Sequence, residues 1–394
     1  MRRSGAPGVG TASKTGRILY VQFTNPAAYP PLEHSARLLA DAGWDVMFLG
    51  TRALGADRLE FQPHPRIRVK RQPFVPGGWR QKVLYAGFLM WVLGWVLVWR
   101  PRWVYASDHL ACPVALAVSW LSRSGIIYHE HDSPGPGGAS RFHELTLAAR
   151  RALTHRAVVC VLPNQRRVEA FARQAAGAGA KLLCVWNCPT RDEVSPARPP
   201  QNRGDIWVLF HGSIVPDRLP VSVVMALTLV PDHVKLRIVG YETIGHRGYV
   251  EKLRALAASH GLDHRVRFAG AVVSRHEVLL SSRECHVGLA FLPKSSHDLS
   301  DDTMVGASNK PFDYMASGLA LLVSDLPRSR ATFVENGYGL ACDSDDPKSI
   351  ADALRWFDEH REAMTQMGAR GQDRVLSEWN YEAQFAPLMA TLSA

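Results

Sequence analysis

Short apolar runs rich in β-branched and aromatic residues alternate along this chain with longer stretches of helical periodicity. In the first half, residues 17–23, 45–49, 67–70, 103–106, 126–128, 158–162 and 182–185 read as strands, with helices between them at 32–42, 83–99, 113–121, 142–153 and 165–175. Alternation at this spacing predicts a parallel sheet covered by helices on both faces. A proline-rich break at 191–204 has little apolar content and reads as a linker. The alternation then resumes. Strands are expected at 206–210, 235–239, 266–268, 287–291 and 319–323, and helices at 221–229, 249–259, 276–282 and 311–316. Three helical stretches close the chain, at 350–359, 363–377 and 381–392. The predicted fold class is α/β, with two doubly wound, Rossmann-like domains at 17–190 and 205–378, a tail at 1–16 and a terminal segment at 379–394. Ligands of such sheets bind outside the carboxyl ends of the strands, so the expected site is a cleft between two facing edges.

The length of 394 residues suits two domains better than one core. Composition, 46% hydrophobic and 21% charged, excludes a disordered or fibrous chain. The formal net charge of +10 is unevenly spread: residues 1–203 hold 27 basic and 12 acidic side chains, net +15, and residues 204–394 hold 19 and 24, net −5. This argues against a uniformly basic nucleic-acid binder and predicts that the first half faces something anionic. Cys112, Cys160, Cys184, Cys188, Cys285 and Cys342 sit mostly in apolar runs and read as small buried hydrophobes, and Cys184 and Cys188 lack the second pair of a zinc site. Residues 1–14 are basic, rich in Gly and Ser, and have no apolar core, which reads as a disordered tail rather than a signal peptide. A reducing, cytoplasmic setting is expected.

Residues 83–99 are uncharged and flanked by Arg80, Lys82, Arg100 and Arg102. On a helix, Phe88, Trp91, Trp95 and Trp99 fall within about 80° of one another. Three readings fit: a core helix, a helix lying in a membrane interface with its aromatic face toward the headgroups, and, at the short limit of length, a membrane span. The second would place the protein peripherally on the inner face of the cell membrane, against an anionic surface.

The second half carries the denser chemical signals. His211-Gly212-Ser213 ends an apolar run and Arg218 follows just before the next helix. Small residues after a strand let backbone N–H groups approach a phosphate, to which the helix N-terminus and Arg218 add positive charge, although a tight turn with a solvated arginine gives the same pattern. In Ser308-Asn309-Lys310-Pro311-Phe312-Asp313, Ser308 or Asn309 can cap a helix that starts with a lysine. A cation there opposes the helix dipole unless an anion shares the site. Lys310 and Asp313 can face one ligand, a cation for phosphate beside a carboxylate for ribose hydroxyls; the alternative is a surface ion pair. His129-Glu130-His131-Asp132 follows a strand, with both histidines on one face; a metal site is conceivable, as is a structural role. Asp108-His109 could line the same cleft, and His34 reads as exposed or on the acceptor side.

Asn309-Lys310-Pro311-Phe312-Asp313-Tyr314-Met315-Ala316-Ser317-Gly318, with the apolar run after it and Ser324-Asp325-Leu326-Pro327, resembles the donor-site signature of GT-B glycosyltransferases, particularly the retaining family 4. Val239-Gly240, Val266-Arg267-Phe268-Ala269-Gly270, Glu335-Asn336-Gly337-Tyr338-Gly339, Trp186-Asn187-Cys188-Pro189 and Trp379-Asn380-Tyr381 fall in the family's order. The resemblance runs from about residue 17 to the end. It implies that Gly212, Ser213, Arg218, Gly240, Asn309, Lys310 and Asp313 bind the donor, with Arg218 and Lys310 on its diphosphate and Asp313 on the ribose. It also implies that His131, with Asp132, lines the cleft near the transferred sugar, and that segment 379–394 crosses back to the first domain. The family commonly has a glutamate where Val305 stands here, a role that Asp298, Asp301 or Asp302 could take over. The family's glycine-rich turn after the first strand is replaced by Thr24-Asn25-Pro26.

The implied activity is transfer of a sugar from a nucleotide-diphosphate sugar, with UDP or GDP, to a hydroxyl of a lipid-linked or glycan acceptor. Transfer would proceed with retention and without metal, the diphosphate's charge being met by side chains, and no cofactor beyond the donor substrate is expected. The rival readings are a sugar-nucleotide isomerase or hydrolase on the same fold, and a catalytically silent, membrane-associated nucleotide-binding protein.

Overall fold

The computed structural model describes residues 16–393 apart from 54–56, 134–139, 176–178, 198–202, 273 and 295–299. The expected tail, much of the linker's proline cluster and Asp298 therefore lie outside the described residues. Two all-parallel sheets organise the chain. The first orders its seven strands β3-β2-β1-β4-β5-β6-β7, namely β1 Arg17–Gln22, β2 Asp45–Thr51, β3 Ile67–Gln72, β4 Trp103–Ser107, β5 Gly125–His129, β6 Val159–Leu162 and β7 Lys181–Cys184. The second orders six strands β10-β9-β8-β11-β12-β13, namely β8 Ile206–Ile214, β9 Val234–Glu242, β10 Val266–Gly270, β11 Val287–Ala290, β12 Ala320–Ser324 and β13 Gly339–Cys342.

The apolar runs form strands because both faces of each sheet are covered. In the first sheet, Leu19, Val21, Met47 and Leu49 point into one core layer, and Ile18, Tyr20, Val46 and Phe48 into the other. The first layer is closed by α2 (Trp79–Trp99), α3 (Cys112–Leu121) and α4 (Arg141–Thr154), and α5 (Gln165–Gln174) adds Phe171. The opposite layer is closed by α1 (Pro30–Asp41) and by the last helix of the chain, Tyr381–Ser393, through Tyr381, Phe385, Leu388 and Leu392. The terminal helix thus packs on the first domain. In the second sheet, Val208 and Phe210 face one core layer and Leu209 the other.

Three local expectations are revised. The strand expected to stop at residue 210 continues as β8 through His211, Gly212 and Ser213 to Ile214, because β9 pairs with it in register along that length. Strand β13, for which no strand was expected, forms because Leu321 to Ser324 of β12 supply its ladder partners. Helix α2 begins one turn before the expected start, at Trp79. The carboxyl ends of the two sheets face each other. Across that gap, the Asn187 backbone N–H donates to the Gly306 carbonyl at 2.8 Å, Arg167 Nε donates to the Thr303 carbonyl at 3.1 Å, and Asn164 Nδ2 donates to the carbonyl of Val305. Val305, where an acid was absent, is buried in this contact.

Candidate active site

A cavity of about 660 Å³ opens between the two strand edges. From the first domain it is lined by Thr24, Tyr29, His131 and Asp132, and from the second by His211, Gly212, Ser213, Arg218, Gly240, Asn309, Lys310 and Asp313, among others. Every donor-site and catalytic residue expected from sequence therefore borders one space.

Lys310 is the first residue of α10 (Lys310–Ala316), the last after α6 (Val221–Ala226), α7 (Tyr249–Ser259), α8 (Arg275–Ser282) and α9 (Asp301–Met304). The side chain is buried, with Nζ over the Phe210 ring at 5.7 Å. Gly212 adopts φ 104°, and a Cβ there would stand 3.1 Å from Lys310 Nζ. At Gly240, φ 152°, a Cβ would lie 1.8 Å from the Gly212 carbonyl oxygen. Only glycine fits at this crossing, which leaves backbone open toward the cavity. Burial, and next the Arg218 guanidinium, hold the Lys310 ammonium well below its usual range, with Asp313 opposing. Burial also lowers the Arg218 guanidinium, partly offset by Asp132. Among the described residues no carboxylate lies within ion-pair distance of Lys310 or Arg218. Two desolvated cations without a counter-ion, beside exposed backbone, form an anion site.

Asp313 is fully buried and closely held. Arg275 donates to it from Nη2 at 2.6 Å and Nη1 at 3.1 Å, and Asn309 Nδ2 donates at 2.7 Å. This corrects one expectation: Asn309 sits at the helix cap position but makes no side-chain cap bond, because its amide is committed to the Asp313 carboxylate. Ser308 does not cap the helix either. Arg275 also pairs with Glu193 of the interdomain connection at 2.6 Å, and Glu193 with His34 of α1 at 3.0 Å. His34 is thus buried between domains rather than exposed. The chain His34–Glu193–Arg275–Asp313 spans both domains behind the cavity. Sequence reading passed over Arg275, although it is a cation at the first position of a helix, the feature that singled out Lys310.

On the opposite wall, His131 is buried and neither ring nitrogen has a hydrogen-bond partner among the described residues. Burial, reinforced by Arg167, lowers it to about 3, so it is a neutral imidazole able to donate one hydrogen bond and accept another. Its backbone N–H and that of Asp132 donate to Asp108 Oδ1 at 2.9 and 3.2 Å. Asp108 does not border the cavity as expected. It sits beneath the loop with φ 64°, and burial, with repulsion from Asp132, pushes it up to about 7. His109 also lies off the cavity, packed against His143. His129 Nδ1 and the Tyr105 hydroxyl share a hydrogen bond at 2.5 Å, and Glu130 is bound by Arg150, so His129 and Glu130 are structural. Among the described residues no group of three or more His, Cys, Asp or Glu gathers as a metal site.

Neither described candidate for the missing acid reaches the cavity. Asp301 accepts from the Arg328 and Ser329 backbone at 2.6 and 3.0 Å, and Asp302 pairs with Arg328 at 3.2 Å. Both instead anchor the short helix that starts at Pro327. His211 is neutral, lowered to about 4 by burial against the opposing pull of Asp313, and its backbone N–H reaches the Tyr314 hydroxyl at 3.1 Å.

Residues 225–390 match the family model described as glycosyl transferase-like. No curated protein matches the chain significantly. Among solved structures, HepE of Anabaena in complex with UDP and glucose is similar with TM-score 0.70 and 18% identity, covering 96% of this chain and 99% of that one. Sucrose-phosphate synthase of Thermosynechococcus elongatus is similar with TM-score 0.69 and 17% identity over 96% and 98%. WaaG, a glycosyltransferase involved in lipopolysaccharide biosynthesis, is similar with TM-score 0.66 and 12% identity over 94% and 98%. The fold is that of the GT-B glycosyltransferases, two parallel α/β domains facing across a cleft.

Proposed function

We propose that the protein is a glycosyltransferase that moves a sugar from a nucleotide-diphosphate sugar to an acceptor hydroxyl. The carrying observation is the pair Arg218 and Lys310: one half-buried and one buried cation with no carboxylate in ion-pair reach among the described residues, converging where glycine backbone borders the cavity. HepE, which shares the fold, has been crystallised with UDP-glucose. UDP is accordingly the first donor base to test, with GDP second.

In the proposed step the bond between the anomeric carbon and the β-phosphate oxygen breaks, its electron pair going to that oxygen. The acceptor hydroxyl oxygen bonds the anomeric carbon and passes its proton to the departing phosphate, on the same face, which retains configuration. Negative charge grows on the phosphate, where Arg218, Lys310 and nearby N–H groups are strongest because water is excluded. Charge neutralisation thus falls to side chains, which supports transfer without a metal. Neutral His131 offers a hydrogen bond to the sugar, and Asp132 faces it from the same loop. Asp313 would meet the ribose by exchanging part of its bond with Arg275 or Asn309.

A thermal-shift panel of nucleotide sugars, followed by turnover with and without acceptor, tests this. A rise in melting temperature with one donor, and transfer lost in Arg218→Ala, is expected. Rearranged or hydrolysed donor as the sole product would replace transfer by isomerisation or hydrolysis, and binding without turnover would leave a silent nucleotide binder.

A further inference from the structure

We infer that the outer face of α2, continued by the end of α3, is a docking surface for an anionic lipid bilayer that seats the cleft at the membrane. The inference rests on the proposed transfer only for what it says about the acceptor. Helix α2 is apolar all round, and its two faces have different fates. Tyr85, Phe88, Val92 and Val96 are buried on the sheet. The opposite stripe is open: Trp79 is 71% exposed, Val83 63%, Met90 65%, Leu97 64% and Val98 79%. Trp120 and Leu121, at the end of the adjoining α3, are 63% and 64% exposed. A helix without a polar face is normally enclosed by protein or lipid, and an exposed apolar strip of this length marks an interaction site.

The orientation differs from the sequence reading. Trp91, Trp95 and Trp99 flank the buried side and pack on the core, with Lys70 over the Trp95 ring at 4.9 Å and Arg17 over Trp99 at 5.8 Å. The aliphatic edge is therefore the one that faces outward. A membrane span is excluded by the packed face, since leaving the sheet would uncover Phe88 and Val92, both wholly buried.

Charge identifies the occupant. From residue 61 to residue 129 the chain carries nine Arg and Lys and one carboxylate, Asp108, which is buried. Arg80, Lys82, Arg100 and Arg102 are exposed at the two ends of α2. An apolar stripe bracketed by cations that have no ion-pair partner among the described residues suits an anionic headgroup layer, with the stripe among the upper acyl carbons. A second copy of this chain would bring cations against cations.

The stripe also leads to the cleft. Helix α2 runs antiparallel to the strands it connects, so Trp79 lies at the cleft end. A smaller cavity of about 60 Å³ there is lined by Phe23, Pro73, Phe74, Val75 and Leu84, and it shares Thr24 and Ala53 with the main one. Thr51, Arg52 and Gln81 complete its wall, so the path is apolar on one side and polar on the other, and an acceptor held in the bilayer can present its hydroxyl to the site along it. The acceptor class that fits is an amphiphile with a polar head.

Sedimentation with vesicles tests the surface. Wild-type protein is expected to bind phosphatidylglycerol-containing vesicles about tenfold or more tightly than pure phosphatidylcholine vesicles, given the number of cations at the surface. Met90→Glu/Val98→Glu should abolish binding while keeping the thermal shift with nucleotide sugar, which shows that the variant is folded and its donor site intact. Arg100→Gln/Arg102→Gln should weaken binding to the anionic vesicles alone. Wild-type protein that ignores vesicles overturns the inference, as does a dimer in light scattering that Met90→Glu/Val98→Glu dissociates. Vesicle binding without any nucleotide response would instead overturn the proposed transfer and leave this surface standing.

Discussion

Replacing Lys310 by methionine sets stability against function in a way the site geometry makes measurable. Lys310 is 6% exposed, its ammonium has no carboxylate in ion-pair reach among the described residues, and burial beside Arg218 holds it well below its usual range. Each unit of that depression is about 1.4 kcal/mol of preference for the neutral form. Because the folded form of the free protein binds the proton less tightly than the unfolded chain, stability rises with pH from the folded value up to the ordinary lysine range near 10.5. Methionine has similar reach and no charge, so Lys310→Met removes the penalty. Replacing even a paired buried charge by apolar residues of similar volume is neutral or stabilises by about 1–4 kcal/mol, so removal of an unpaired one should do no less, and each kcal/mol is worth about 2–4 °C for a domain of this size. The free variant should melt several degrees higher than wild type near pH 7, with the gap closing as pH approaches 10. Turnover should move the other way, falling about 10²–10³-fold, or roughly 3–4 kcal/mol of transition-state stabilisation. Calorimetry in buffers of different ionisation enthalpy adds a third readout: proton uptake on binding the nucleoside diphosphate should be larger in wild type than in Lys310→Met, because the bound phosphates relieve the depression of the Lys310 ammonium. A variant that melts no higher and turns over as wild type would refute the reading of Lys310 as a phosphate cation kept unpaired at a cost in stability.

Further outcomes follow from the same geometry. Arg218→Ala should lower donor turnover by about 10²-fold or more with little change in acceptor KM, as steady-state kinetics would show. Glu130→Gln should destabilise the first domain by about 3–5 kcal/mol in urea unfolding, because Arg150 would keep a buried charge without its counter-ion. Asp108, pushed up to about 7 by burial, lends stability at low pH that is lost as pH rises through 7. Asp108→Asn tolerates the positive φ and should therefore melt higher than wild type at pH 8, with the difference gone at pH 4. Arg275→Ala leaves Glu193 and Asp313 facing each other without their shared cation, and should split chemical unfolding into two transitions as the domains uncouple.

Much of the architecture was legible before folding because parallel strands covered on both faces must be apolar runs, and a chain of such runs separated by helices has few ways to close. Local chemistry was legible where a residue contradicts its immediate surroundings. Lys310 at a helix start was such a case, and Arg275 was another that the same signal would have found. The pairing of Gly212 with Gly240 needed only a small residue at each strand end to be noticed, although their contact across the ladder shows only in the sheet register.

Tertiary structure decided the rest. Asn309 has the sequence of a helix cap, yet it serves Asp313, because a buried carboxylate draws a nearby donor more strongly than a helix end that can be left to solvent. Asp301 and Asp302 looked free to enter the cleft, and the distant Arg328–Ser329 segment holds them elsewhere. His34, Glu193, Arg275 and Asp313 are scattered along the chain and become one ionic chain only when two domains meet. Helix α2 is the clearest division. Its sequence determined that it is a helix and that it is apolar. With no polar side to orient it, periodicity could not say which face meets protein; only the fit of Tyr85, Phe88, Val92 and Val96 onto the sheet turned the opposite edge outward.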